Sequence, residues 1–248
     1  MKNGLNAIWV THDENRKKEF EPLGYRYLKS RSIFKRNVGK DIIVHLYYNA
    51  SRFHREFTIV NFFLHGDFRD IKEVLHNQNI IDDIEYWYCG FACRLPWITP
   101  EKFESPLWDF IFCDDDTEKV VEEKLKRMAH CVRTYAIPYL EKLSHKNSAL
   151  EEAIKLDQKF LLLGDEYLIP IMYCIWKHDK KSALDYLEER GIRLWKLVNP
   201  EEWKWLERKK KGETLLKNEY PASALGYEDY IEGAKKVREW IESQEYDD

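Results

Sequence analysis

Two neighbouring stretches decide the fold: Asp41-Ile-Ile-Val-His-Leu-Tyr-Tyr48 and Arg55-Glu-Phe-Thr-Ile-Val-Asn-Phe-Phe-Leu-His65. Both are rich in Ile, Val, Tyr, Phe and Thr, side chains that suit a pleated, half-buried surface. Asn49 to His54 between them is polar and reads as a turn, which makes the pair an antiparallel hairpin. Along the first strand Ile42, Val44, Leu46 and Tyr48 share one face, and Ile43, His45 and Tyr47 share the other. Both faces are fairly apolar, so the sheet is expected to be covered on one side and partly on the other. Pairing centred on residue 52 sets His45 opposite Ile59 and leaves His65 near Gly39. In that register His45, His54 and His65 do not converge on a metal, and no metal site is expected.

Upstream, Thr11 to Phe20 reads as a short charged helix, and Gly24 suits the left-handed turn after it. Tyr25–Lys29 and Ser32–Arg36 are strand candidates. Downstream, Asp67–Asn77 reads as a helix and Glu85–Arg94 as a further strand. Thr99-Pro100-Glu101 has the form of a helix start, with a cap residue followed by proline. Past Cys113 the pattern becomes helical. Asp115-x-x-Glu118 is shaped like a capping box. Val121, Leu125, Met128, Val132, Tyr135 and Tyr139 then recur every three or four residues, which predicts one long helix kinked at Pro138. Ser148-x-x-Glu151 and Asn199-Pro200-Glu201 are two more start signals. Leu168 to Gly191 reads as a helical hairpin, with Ala183, Leu184 and Leu187 packing inward. Tyr227 to Ile241 carries Ile231, Ala234, Val237 and Ile241 on one face.

The expected class is therefore α+β: an N-terminal antiparallel sheet with flanking helices, followed by a helical C-terminal half. The boundary falls at residues 1–113 for the sheet domain and 114–248 for a helical region packing on it. A single continuous domain is the alternative.

The chain has 248 residues, 44% of them hydrophobic and 34% charged, with a net charge of −4. That composition is soluble and globular, and it argues against a protein that coats nucleic acid non-specifically. Charge is uneven along the chain. Between Phe20 and Val60, Arg26, Lys29, Arg31, Lys35, Arg36, Lys40, Arg52 and Arg55 outnumber Glu21, Asp41 and Glu56. From Phe112 to Glu123, Lys119 stands alone against six carboxylates. The five cysteines are odd in number and lack the two-residue spacing of redox or zinc knuckles, so reduced thiols are expected. The longest apolar run, Tyr167 to Trp176, is half of the ~20 residues that span a bilayer. The N-terminus has no signal-peptide pattern. A cytoplasmic protein without membrane contact is the expectation.

The segment Phe20-Glu-Pro-Leu-Gly-Tyr-Arg-Tyr-Leu-Lys-Ser-Arg-Ser-Ile-Phe-Lys-Arg36 resembles the start of the bacterial domain-of-unknown-function family 4304. The shared pattern is an aromatic residue, Leu-Gly-Phe/Tyr, a basic stretch and a Phe/Tyr-x-Arg strand, followed by strands like Asp41–Tyr48 and Glu56–Leu64. The resemblance reaches about Cys93. It implies a bacterial or phage origin and an antiparallel sheet with helices. It carries no reaction and no catalytic residue.

Motifs of catalysis are missing from the sequence. It has no Gly-x-Ser-x-Gly elbow, no Ser-x-x-Lys, no phosphate-cradling glycine loop, and only ten glycines. No cofactor is implied. Asp114-Asp115-Asp116 with Glu118 could hold a hard cation, but carboxylates at the positive end of a helix explain the same residues. The strongest positive feature is the basic, aromatic hairpin. Arg31, Lys35, Arg36 and Arg52 would steer an acidic protein surface, while Tyr47 or Phe53 fills a pocket on the partner. A second basic cluster, Lys204 and Arg208 to Lys211 beside Trp203 and Trp205, reads as the exposed end of a helix. The leading expectation is a non-catalytic protein-binding module, with an immunity or defence role as one form of it. The alternative is an enzyme acting on nucleic acid or nucleotide phosphates, with nucleic acid as the second-ranked partner.

Overall fold

The computed structural model describes residues 17, 20–53, 57–81, 91–100, 102–103, 109–160, 167–198, 200–214 and 222–246. Of the predicted helix over 11–20 only Lys17 and Phe20 are described, both helical; its other residues, His54, Cys89 and most of the predicted strand over 85–94 lie outside the described residues.

Among the described residues, six antiparallel strands form one sheet: β1 (Arg26–Leu28), β2 (Ile33–Val38), β3 (Ile42–Phe53), β4 (Phe57–Phe68), β5 (Phe91–Arg94) and β6 (Phe110–Cys113). Strands β1 to β5 lie in chain order, and β6 also pairs with β4. β5 takes Phe63–Gly66 of β4 and β6 takes Phe57–Val60, so both sit along one edge of it. The helices are α1 (Arg69–Asn77), α2 (Leu95–Ile98), α3 (Glu118–Cys131), α4 (Ile137–Leu143), α5 (Lys146–Phe160), α6 (Leu168–Lys177), α7 (Lys180–Leu197), α8 (Pro200–Lys210) and α9 (Ala222–Ser243). Sheet first and helices after is the expected α+β order.

The chain divides into two compact units: residues 1–69 with 90–152, and residues 70–89 with 153–248. The first holds the sheet. Strand alternation puts Phe34, Val44, Leu46, Phe62, Leu64, Phe68, Cys93 and Phe112 on one face, and all are buried. α4 packs on β3 and β4. With α3 it brings Leu125, Met128, Cys131, Ala136, Leu140 and Leu143 into the same core. The periodicity read from the sequence is thus a core-facing stripe. Gly66 sits inside this face, where a Cβ would stand 2.8 Å from the Phe68 ring.

The second unit is helical. Leu156, Leu168, Ile171, Met172, Ala183, Leu187, Tyr230, Val237 and Ile241 are buried in it. Asp157 is buried there with two arginines. Its Oδ1 accepts from Arg190 Nε at 3.2 Å, and its Oδ2 accepts from Arg193 Nη2 at 2.8 Å and from the Tyr186 hydroxyl. Trp176 Nε1 donates to Asp70 at 2.8 Å.

Several local expectations are corrected. The stretch read as a turn continues β3 to Phe53, which pairs with Phe57, so the hairpin centres on residue 55. Ladder hydrogen bonds between two long strands override the turn preference of Asn49-Ala-Ser. Among the described residues Thr99 and Pro100 open no helix, since Pro100, Lys102 and Phe103 are not helical. The helix lies before them at Leu95–Ile98, with Pro96 in its first turn and Thr99 extended at its end. α3 is capped by Thr117, whose hydroxyl accepts from Val120 N–H, rather than by Asp115. Ser148 lies inside α5, which already starts at Lys146. Between α3 and α4 the break is a π-helical turn over Val132–Ala136, just before Pro138. Proline removes one ladder N–H and crowds the preceding carbonyl, and the wider turn absorbs both. On α9 the buried stripe is Tyr230, Val237 and Ile241, while Ile231 is exposed.

Candidate cationic sheet face

Register decides what the second face of the sheet displays. One cross-strand row runs Arg26, Lys35, His45, His65 and Ala92. The next runs Leu28, Ile33, Tyr47, Phe63 and Arg94. Lys35, His45, Tyr47, Phe63, His65 and Arg94 are all half-buried, and Arg26 is exposed. The His45 and His65 rings stack with centroids 4.5 Å apart. Tyr47 and Phe63 stack at 5.8 Å. Asp67 lies two residues beyond His65 on the same face.

The six residues expected to bind a partner do not form one patch. Lys35 and Tyr47 share this face, and Arg31 is exposed in the one-turn helix after β1. Arg36 and Arg52 point to the opposite side, because they alternate with Lys35 and Tyr47 along their strands. Arg36 is held inside the unit. Its Nη2 donates to Glu141 at 2.7 Å and to the Ser144 hydroxyl, and its guanidinium lies 5.0 Å over the Tyr25 ring. That contact holds the Glu141 carboxyl below its ordinary value, while burial pushes the Tyr25 hydroxyl up to about 12. Arg52 is paired with Asp114 at 2.6 Å. The Phe53 side chain lies outside the described residues.

Sequence reasoning missed three members of the face. His45 and His65 were separated by the misplaced hairpin centre. Arg94 was passed over because its partner, Asp109, is distant in sequence. β5 and β6 leave a gap along β4 at Asn61 and Phe62, and Asp109 closes it. Its carboxylate accepts Phe62 N–H at 2.7 Å and Arg94 Nη2 at 2.5 Å, and its own N–H donates to Asn61 Oδ1 at 3.0 Å. Burial pushes the Asp109 carboxyl up, and these donors pull it back.

Elsewhere, Cys113, Asp115 and Asp116 bring three ligand atoms within 4.8 Å of one another. Asp116 Oδ2 already accepts Cys113 N–H at 2.8 Å and Lys124 Nζ at 2.7 Å, so an ammonium stands where a cation would. Cys93, Cys113, Cys131 and Cys174 are free thiols. Burial raises Cys93 strongly, which keeps it un-ionised and unsuited to nucleophilic attack.

The basic row is costly for the sheet. Arg26 and Lys35 are like charges directly opposite one another, an arrangement that weakens strand pairing. Among the described residues, neither Arg26 nor Lys35 has an ion-pair partner. Arg36, Arg52 and Arg94 each have a carboxylate. A face arranged for stability alone would alternate its charges. Compared with known proteins, the chain matches no family model, no curated protein and no solved structure. The site therefore rests on its own chemistry.

Proposed function

We propose that the chain is a non-catalytic protein-binding module whose cationic sheet face receives an acidic partner surface. The observation that carries this reading is the row Arg26–Lys35–His45–His65, set beside the Tyr47–Phe63 stack. The cations would steer the partner and fix its orientation, and the aromatic pair would supply contact area at low conformational cost. Arg31 extends the cationic edge. Arg36 and Arg52 hold the scaffold that presents it.

The resemblance of Phe20–Cys93 to family 4304 supports a bacterial or phage origin, in which such a module would serve immunity or defence. Free thiols support a cytoplasmic setting. Among the described residues, no helix is long and apolar enough to cross a membrane.

A second reading draws on one observation: two stacked imidazoles, a carboxylate at Asp67 and a lysine share the face. In it, Lys35 and Arg26 hold a phosphate and His45 or His65 acts as general base.

Native mass spectrometry of the protein purified from its own host separates the two. A stoichiometric protein companion, kept by the wild type and lost from a folded Arg26→Glu/Lys35→Glu variant, is the expected result. A retained nucleotide or oligonucleotide instead would move the assignment to the phosphate reading. A companion equally kept by the variant would remove the sheet face from the interaction.

A further inference from the structure

The second unit carries a surface that the sheet-face reading does not use. α7 and α9 lie antiparallel. Lys180 Nζ reaches Glu242 O at 3.3 Å, Tyr230 Oη donates to Leu187 O at 2.8 Å, and the Trp195 and Tyr227 rings meet at 5.9 Å. Between the two helices runs a groove of ≈ 820 Å³. Its shape follows from side-chain size. Gly191 on α7 and Ala234 on α9 leave a trough, and Ile192, Trp195, Tyr227 and Ile231 line it. Ile192 and Ile231 are 48% and 46% exposed, where most large hydrophobics of the chain are buried.

We propose that this groove takes one amphipathic helix from a partner protein, apolar on the inserted face and acidic along its flanks. Length supports a helix. The lined stretches, Leu187–Lys196 and Tyr227–Arg238, each span roughly 15 Å, which is about three turns of helix. Openness along that length argues against a small ligand, since such sites enclose about 70–90% of what they hold. A helix laid in a groove needs only one side covered.

Charge selects the flank. Lys196, Lys235 and Arg238 border the groove against a single carboxylate, Glu188. Lys235 reaches Glu239 only at 4.0 Å, in an exposed pair that solvent screens. A second copy of this chain is a poor occupant, because two-fold pairing would set these cations against themselves. An acidic-flanked helix meets them with opposite charge. The inference is independent of the sheet face, which lies in the other unit.

The test is selection of random phage-displayed peptides, about four helical turns long, on the full-length protein. Enriched peptides should carry apolar residues at i, i+3, i+4 and i+7 with Asp or Glu beside them. Their affinity should fall at least about tenfold for Lys235→Glu/Arg238→Glu, two exposed positions where circular dichroism should show the fold kept. Gly191→Leu, which fills the trough, should abolish binding while circular dichroism stays unchanged. Failure to enrich such peptides, or equal binding to both variants, would overturn the proposal. So would a concentration-dependent dimer in sedimentation that Gly191→Leu disrupts, since it makes a second copy the occupant. Retained binding by Arg26→Glu/Lys35→Glu is expected, so loss of the sheet-face reading leaves this one standing.

Discussion

His45 and His65 face each other directly across β3 and β4, with their rings stacked 4.5 Å apart and 24° from parallel. On an antiparallel pair this position lets side chains touch, and an aromatic couple there supports the sheet. The two imidazoles add proton-accepting nitrogen to a face that already holds Lys35 and Arg26. His45→Phe/His65→Phe keeps a stacked aromatic pair and removes those nitrogens. Thermal unfolding should show a midpoint equal to or above that of the wild type. Partner binding on the sheet face should weaken, as read by titration calorimetry. A lower midpoint would instead make the pair a structural element.

Arg36 ties β2 to α4 through Glu141 and Ser144, within the first unit. Glu141 is 54% exposed, so solvent screens much of the ion pair. Arg36→Met should destabilise by about 1–3 kcal/mol, mainly by leaving partly buried acceptors unmet. The pH dependence has a definite sign. The folded Glu141 carboxyl titrates below its ordinary 4.5, so its contribution is fully present above 4.5 and lost as pH falls through the lower folded value. Denaturant titrations at neutral pH and well below 4.5 should therefore show the gap between wild type and Arg36→Met narrowing on acidification. A constant gap would assign the effect to packing over Tyr25.

Much of the sheet was legible in the sequence, because period-two patterns of Ile, Val, Tyr and Phe have few other uses. Faces were legible too: Ile42, Val44, Leu46 and Tyr48 do share the buried side. Register was not. Asn49-Ala-Ser-Arg52 has the local chemistry of a turn, and only cross-strand pairing, which is non-local, keeps it extended. That shift moved the partner of His45 from Ile59 to His65, and with it the centre of the candidate site. The basic residues were found but wrongly grouped. Arg36 and Lys35 are neighbours in sequence and lie on opposite faces in space. Asp109 gave no signal, since a carboxylate closing a gap between two edge strands is defined by topology alone.

Asp157 joins α5 to α7 in the second unit, where it is 1% exposed beside an Arg190 at 0%. Arg193 and Tyr186 complete its shell. Burial, with proximity to this carboxylate behind it, pushes the Tyr186 hydroxyl up, so it stays a proton donor. Asp157→Asn removes the buried carboxylate that Arg190 and Arg193 share, while Arg193 keeps the exposed Glu189 at 3.7 Å. Breaking a buried pair this way should destabilise by about 3–5 kcal/mol. Tyr186→Phe removes one hydrogen bond to the same group and should destabilise by about 1–2 kcal/mol. The double variant should lose less than the two losses combined, because the tyrosine donates to a charge that is no longer there. Urea unfolding of all four proteins measures the coupling, and strict additivity would show that Tyr186 acts by packing alone.

Gly66 tests the packing of the buried sheet face. Its place in β4 needs no positive φ, so backbone freedom is not the reason for glycine there. The reason is Phe68, two residues on and fully buried, whose ring tip would stand 2.8 Å from a new Cβ. A ring enclosed on all sides cannot swing away, and overpacking of this kind costs about 1–3 kcal/mol. Gly66→Ala should lower stability by that amount. Phe68→Leu alone should also destabilise, by opening a cavity. Combined, Gly66→Ala/Phe68→Leu should be more stable than the two losses predict, since the methyl fills part of the space the ring leaves. Guanidinium unfolding of the four proteins reads the coupling directly. If the double variant loses the full sum, the glycine is required by something other than the Phe68 ring.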